Sequence, residues 1–323
     1  KNLSKQIPDF LNRSTLAFSA SSGLDRYLSS LKVSNNEINQ ADENLMTPLH
    51  LAATKGYFNT VSILLELGAD IKKQNKLNHL PLQSSLLLPL DFNQKLKTDK
   101  TQIVKLLLSK DNQSLCHKDI NGENILHQMS SQGFEQLLSE IVMTNPSLAF
   151  ERNNLGHYPI HNALLSAELA CVKALLSIDR ISELKDNHGQ TPLHYSARYS
   201  GSNILALCIK HADNIDELDS NGKSPLLCAA LAGNTSALDR LITHNADVSL
   251  CDSKGNTLLH YATLSEDLKT VDWLIKNIKL DINRKNKNGQ TPLSLVETGA
   301  NNEEIELLLL QSGAKKMPLT SRL

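Results

Sequence analysis

Apolar and polar positions along the chain repeat one short theme. A turn-forming pair comes first, an Asp or Asn with a Gly three residues on: Asp119 and Gly122, Asn153 and Gly156, Asp186 and Gly189, Asp219 and Gly222, Asp252 and Gly255, Asn286 and Gly289. Gly accepts positive φ and Asp or Asn bonds nearby backbone, so each pair predicts a tight turn. Two residues after each Gly a tetrapeptide begins whose fullest form is Thr-Pro-Leu-His. Its Thr or Ser suits a helix N-cap, and Pro fits the first helical position because its missing N–H costs nothing there. A short helix rich in small residues is predicted next, as at Ala52 and Ala53. After a Gly or polar break, a second helix follows with apolar residues at helical spacing: Val61, Leu64 and Leu65, or Leu238, Leu241 and Ile242.

The tetrad is complete at Thr47–His50 and Thr191–His194, and weaker copies open at Ser14, Leu80, Asn124, Tyr158, Ser224, Thr257 and Thr291. Successive openings are 33, 33, 44, 34, 33, 33, 33 and 34 residues apart, so one interval alone is long. A period of 33 carrying T-P-L-H-x-A resembles the ankyrin repeat. The stretch TPLHLAATKG at 47–56, with GAD at 68–70, is similar to that family almost position for position. A single turn-helix-helix unit cannot bury its apolar face alone, so the units are expected to stack. The reading is an all-α solenoid forming one domain over residues 1–323, with repeats opening near 9, 42, 75, 119, 153, 186, 219, 252 and 286. Stacking explains how a chain with 4% aromatics holds a core of Leu, Ile, Val and Ala. The first and last repeats look like caps, the last setting Glu303, Glu304 and Glu306 beside LLLL at 307–310. Tails are expected at 1–11 and 315–323.

The long interval places an insertion at 89–100, between the two helices of the third repeat. Leu90, Phe92 and Leu96 are apolar there, while Asp91, Lys95, Lys97, Asp99 and Lys100 are charged. This predicts a short surface flap, with the second helix resuming near Thr101; long surface insertions cost little stability. Decoration is favoured over binding, and Phe92, Lys95 and Lys97 form a second candidate surface.

Charge and composition narrow the function. Thirty-three basic and 34 acidic side chains, net −1, are scattered, which disfavours nucleic acid. No apolar run approaches a membrane span and no signal peptide stands at the start. The chain opens on Lys1 without Met, so a leader or a further domain is allowed for. Five cysteines without a CxxC pair argue against structural disulfides and for a reducing, intracellular and cytoplasmic setting. Abundant Asn, and Lys well in excess of Arg, resemble the ankyrin effectors that intracellular bacteria deliver into host cells. The terminal Ser321-Arg322-Leu323 is similar to a peroxisomal address and to a PDZ-binding tail, a motif short enough to arise by chance.

The recurring His50, His127, His161, His194 and His260 invite a metal array, but no second ligand type accompanies them at metal spacing. The resemblance implies instead that these histidines tie adjacent turns together through backbone bonds. Cys228, on a first helix between the repeats of His194 and His260, is the one thiol placed for nucleophilic chemistry, yet both histidines are committed to their tetrads. With no phosphate loop and no HExxH, the chain reads as no enzyme, with no cofactor and no metal.

Surface remains. The resemblance implies partners along a groove of turn tips and first helices, which are His188, Tyr195, Arg198 and Tyr199 in one repeat, Lys223, Cys228 and Leu231 in the next, and Lys254, Tyr261 and Leu264 in the third. Tyr and Arg dominate interface hot spots. Against this, Tyr195 and Tyr261 directly follow their tetrads, where they also suit packing between helices. The expectation is a monomeric, non-catalytic scaffold for a protein partner, a host protein if the chain is an effector. The alternative is the recognition region of a larger enzyme.

Overall fold

In the computed structural model, residues 15–30, 34–89, 91–199, 201–296 and 300–316 are described. Ser14, Leu90 and the terminal Ser321-Arg322-Leu323 lie outside them. Every regular element among these residues is helical. The chain divides into two compact units, Lys1–Asn162 and Ala163–Leu323.

In the first unit, the tetrads open the helices Pro48–Lys55, Pro81–Leu86 and Ile125–Gln132, each paired with a second helix: Phe58–Glu66, Gln94–Lys110 and Glu135–Thr144. In the second, Pro192–Tyr199, Pro225–Leu231 and Leu258–Leu264 pair with Ser202–His211, Thr235–Thr243 and Leu268–Asn277. First helices pack on first helices of the next repeat within each unit. Their Ala residues make that close approach possible: Ala52, Ala53, Ala229, Ala230 and Ala262 are fully buried.

Among the described residues the turns are built by one device used eight times. In each, Oδ1 of the leading Asp or Asn accepts two backbone N–H groups, two and four residues on. Asp186 takes those of His188 and Gln190 at 2.8 and 2.7 Å, and Asn286 those of Asn288 and Gln290 at 3.0 Å each. Gly222 shows why Gly ends the turn: its φ is +76°, and a Cβ there would lie 2.8 Å from the Ser253 nitrogen. That crowding reflects a backbone ladder from finger to finger: Ser220 N–H to His188 O, Ser253 N–H to Asn221 O and Lys287 N–H to Lys254 O, all 2.8–2.9 Å. In the second repeat Leu45 holds the left-handed position at φ +58°, a conformation costly for a residue with a Cβ.

Four of the five histidines are the rivets the resemblance implied, whereas His161 shows the bond within its own tetrad, its Nδ1 accepting from the Tyr158 N–H at 3.1 Å. His50 Nδ1 accepts from the Thr47 N–H at 3.2 Å, and Nε2 donates to His79 O at 3.0 Å across to the next repeat. His127, His194 and His260 repeat this with His157 O, Lys223 O and Gln290 O.

Two expectations change. The insertion is not a flap ahead of a helix at Thr101: the helix starts at Gln94, capped by Asn93, whose side chain accepts from Leu96 N–H at 2.8 Å. Leu96, Lys100, Ile103, Val104 and Leu107 then form one continuous stripe. Lys100 is fully buried, and its ammonium donates to Thr54 O at 2.6 Å, Ser85 O at 3.1 Å and Leu87 O at 2.6 Å. These carbonyls end the first helices of the second and third repeats, where helix geometry leaves acceptors without partners. Lys97 does the same for the fourth, donating to Gly133 O, and sits 5.4 Å from the Phe134 ring centroid. Leu96 completes the clamp by covering Gly56. The second change is in the last repeat, whose first helix shrinks to the 3-10 turn Pro292–Leu295 before extended Val296. The alanines that let first helices stack are absent there, and β-branched Val296 disfavours another helical turn.

Candidate functional site

The fingers and first helices of the second unit divide the expected contact residues into two groups. Tyr195 and Tyr261 belong to the core: they are 6% and 8% exposed, and their hydroxyls donate to Asp186 Oδ2 at 2.9 Å and Asp252 Oδ2 at 2.7 Å. Thus Asp186 and Asp252 spend Oδ1 on their own turns and Oδ2 on the first helix of their own repeats. Burial, then the bonded carboxylate, pushes both phenols above their ordinary pKa. Burial alone would raise the Asp252 carboxyl, but the bonds from Tyr261, Asn256 and Lys254 outweigh it and hold it below the usual range. The exposed position expected for the two tyrosines is therefore corrected: a large residue after the tetrad meets the turn Asp, not solvent.

The second group faces outward. Tyr199 is 50% and Leu264 43% exposed; His188 and Lys254 are exposed, and Arg198, Lys223 and Leu231 half-buried. The Arg198 guanidinium lies 5.0 Å from the Tyr199 ring centroid, which holds the two as one unit. Lys223 stands 3.7 Å from Asp219 Oδ2. Sequence reasoning missed Lys287, exposed on the next finger with its ammonium 2.7 Å from Ser253 O; its place four residues before the tetrad at Thr291 marks it as a turn-tip residue.

We expect Tyr195→Phe and Tyr261→Phe each to lower stability by about 1–2 kcal/mol, because a buried carboxylate loses one of its donors. Arg198→Ala and Tyr199→Ala should stay within about 0.5 kcal/mol of wild type, as outward-facing substitutions usually do. Urea denaturation measures both.

Cys228 does not open onto this face. It is 1% exposed, and burial pushes its thiol, like that of Cys208, up to about 11. That opposes thiolate chemistry. A maleimide time course should label exposed Cys116 and half-buried Cys251 first, with Cys171, Cys208 and Cys228 slower by orders of magnitude. Rapid labelling of Cys228 would restore it as a nucleophile. Among the described residues no cluster of three or more His, Cys, Asp or Glu is placed to hold a metal ion, and no helix is long and apolar enough to cross a membrane.

The first unit carries a different surface. Its four consecutive finger tips bear exposed aliphatics, Leu45, Leu77, Ile120 and Leu155, at 48, 52, 57 and 68%. Beside the first two lies a hollow of about 640 Å³ lined by Met46, Leu51, Leu77 and Leu87 with Asp42 and Lys55. Of the second candidate surface, Phe92 and Lys95 are exposed, while Lys97 is occupied as a clamp.

A turn-helix-helix scaffold whose polar groups recurring from repeat to repeat are spent internally, with side chains that differ between its finger tips, defines a repeat protein of the protein-binding class. The family model for ankyrin repeats matches residues 2–75, 126–217, 178–252, 201–286 and 227–319, and the chain belongs to that family. It is 26% identical over 196 residues to Rabankyrin-5 of Mus musculus, covering 60% of this chain and 16% of that protein. It is 25% identical over 183 residues to the Transient receptor potential cation channel subfamily A member 1 homolog of Caenorhabditis elegans, covering 56% and 14%. It is 28% identical over 171 residues to SH3 and multiple ankyrin repeat domains protein 2 of Homo sapiens, covering 53% and 9%. The chain thus matches a small part of each relative's length. Ankyrin repeats mark a protein–protein interaction domain, and the fold is typically non-catalytic.

Proposed function

We propose that this chain is a non-catalytic scaffold that binds a partner protein through the fingers and first helices of its second unit. The observation that carries the reading is the sorting of side chains there. Tetrad histidines, turn carboxylates and Tyr195 and Tyr261 are consumed by the fold, whereas the Arg198–Tyr199 stack and Leu264 are turned outward. A preorganised Arg–Tyr pair brings contact area and a polar handle at little entropic cost. The Asn-rich, Lys-over-Arg composition supports a host-cell partner.

Affinity capture from host-cell lysate tests this, comparing wild type with Arg198→Ala/Tyr199→Ala/Leu264→Ala after both melt alike. A protein held by the wild type and lost from the variant is expected; equal capture sinks the reading. A second reading takes the same face as the recognition region of a larger enzyme. The far greater length of the matched relatives supports a longer protein without pointing to an enzyme, and the length and content of the natural open reading frame decide it.

A further inference from the structure

We propose that the second unit's face takes an acidic segment of its partner, with carboxylates meeting a row of cations on successive fingers. This rests on the binding reading above and adds the chemistry of what is bound.

The row is Lys223, Lys254 and Lys287, one on each of three consecutive fingers, with Arg198 on the first helix of the preceding repeat. The carboxylates of these fingers are withdrawn from contact. Asp186, Asp219 and Asp252 are 4, 5 and 6% exposed. Each accepts two backbone N–H groups on Oδ1, and Oδ2 takes Tyr195 OH, Gln190 Nε2 and Tyr261 OH respectively. The fourth finger is led by neutral Asn286. Within the finger stretches 186–190, 219–223, 252–256 and 286–290 the charged side chains open to a partner are therefore the lysines, while Glu217, ion-paired with Lys185, and exposed Glu266 flank the face. The remaining tip residues, Ser220, Asn221, Ser253 and Asn288, are neutral and polar.

The finger ladder holds successive tips side by side, and the lysines take different places on them: Lys223 lies four residues after its turn Asp, Lys254 two after its own, and Lys287 one after its turn Asn. Lys287 is steadied on Ser253 O at 2.7 Å, and the Arg198 guanidinium, stacked on Tyr199, keeps its edge free for a two-point bond to a carboxylate. Tyr199 and Leu264 supply apolar anchors between the charges. Lys223 contributes least, being shared with Asp219 at 3.7 Å. The finger tips of the first unit differ, carrying the exposed aliphatics Leu45, Leu77, Ile120 and Leu155 together with Glu43 and Lys76.

The test is selection of a displayed random 16-residue peptide library on the full chain, followed by titration of the enriched peptides in fluorescence anisotropy. Expected are net-acidic peptides with interspersed apolar residues. Their affinity should fall about tenfold or more with Lys254→Glu/Lys287→Glu, less with Lys254→Gln/Lys287→Gln, and steadily with added salt. Enrichment of neutral or basic peptides, or acidic peptides indifferent to both double variants, overturns the proposal, as does failure to enrich any peptide. These outcomes separate from failure of the binding reading, which is the equal lysate capture by Arg198→Ala/Tyr199→Ala/Leu264→Ala protein.

Discussion

Lowering the pH from 7.5 to 4.5 should strip several kcal/mol from the folding stability of this protein, with most of the loss below pH 6.5. The cause is the protonation state that the tetrad histidines must hold. His50 Nδ1 accepts from the Thr47 N–H and faces its hydroxyl at 2.8 Å, while Nε2–H donates to His79 O. A second proton on Nδ1 has no place to go. Burial, which outweighs the bond to His79 O, pulls the pKa of His50 down to about 4, and burial lowers those of His127, His194 and His260 likewise. Below pH 6.5 the unfolded chain binds protons that the folded chain refuses, so stability falls until the folded pKa is reached. For His50 alone, a drop from 6.5 to about 4 corresponds to about 3 kcal/mol. The third repeat contains its own control. There Gln83 stands in the tetrad, accepting from Leu80 N–H at 3.1 Å and reaching His117 O at 3.5 Å, without a titrating group. Accordingly His50→Gln should cost about 1 kcal/mol at pH 7.5 and flatten the acid slope. Urea midpoints across pH 4.5–8 measure this, and an unchanged slope in His50→Gln would show that acid acts elsewhere.

Lys100→Ala should destabilise the first unit by about 3–5 kcal/mol, the cost of breaking a buried charged cluster. Three carbonyls at the ends of two helices lose their donor, and the aliphatic stem leaves a void. Lys100→Met keeps the volume and should recover part of the loss, down to about 2 kcal/mol, because the carbonyls still lack a partner. Burial, with a smaller contribution from Lys55, pulls the Lys100 pKa down to about 8, so the ammonium is still the main form at neutral pH. Circular dichroism follows the helices of both units, whereas the single Trp273 reports the second. The Lys100 variants should therefore shift the circular dichroism transition at least as far as the Trp273 fluorescence. A Lys100→Met protein as stable as wild type would mean that water already serves these carbonyls.

How much of this was legible in the sequence follows from where periodicity ends. Fold class, turn positions, caps and rivets repeat every 33 residues, so each copy corroborates the others, and the turn Asp, tetrad Thr and tetrad His sit where the spacing puts them. Lys100 had no second copy. It reads as a charge inside a polar loop, although Leu96, Lys100, Ile103, Val104 and Leu107 already share one helical face; only three carbonyls contributed by two different repeats explain a Lys there. Tyr195 and Tyr261 were ambiguous for a related reason. The residue after the tetrad faces both the neighbouring helix and its own turn, and the carboxylate that captures its hydroxyl lies nine residues upstream. The aliphatic tips of the first unit were readable residue by residue, but they occupy different places in their turns and so escape any search for register.

Hydrogen exchange on the full chain, alone and with its captured partner, tests the central claim most directly. The predicted result is slowed exchange along the fingers at 186–190, 219–223 and 252–256 and the first helices Pro192–Tyr199 and Leu258–Leu264. Protection confined to the second helices Thr235–Thr243 and Leu268–Asn277, or to the first unit alone, would contradict it.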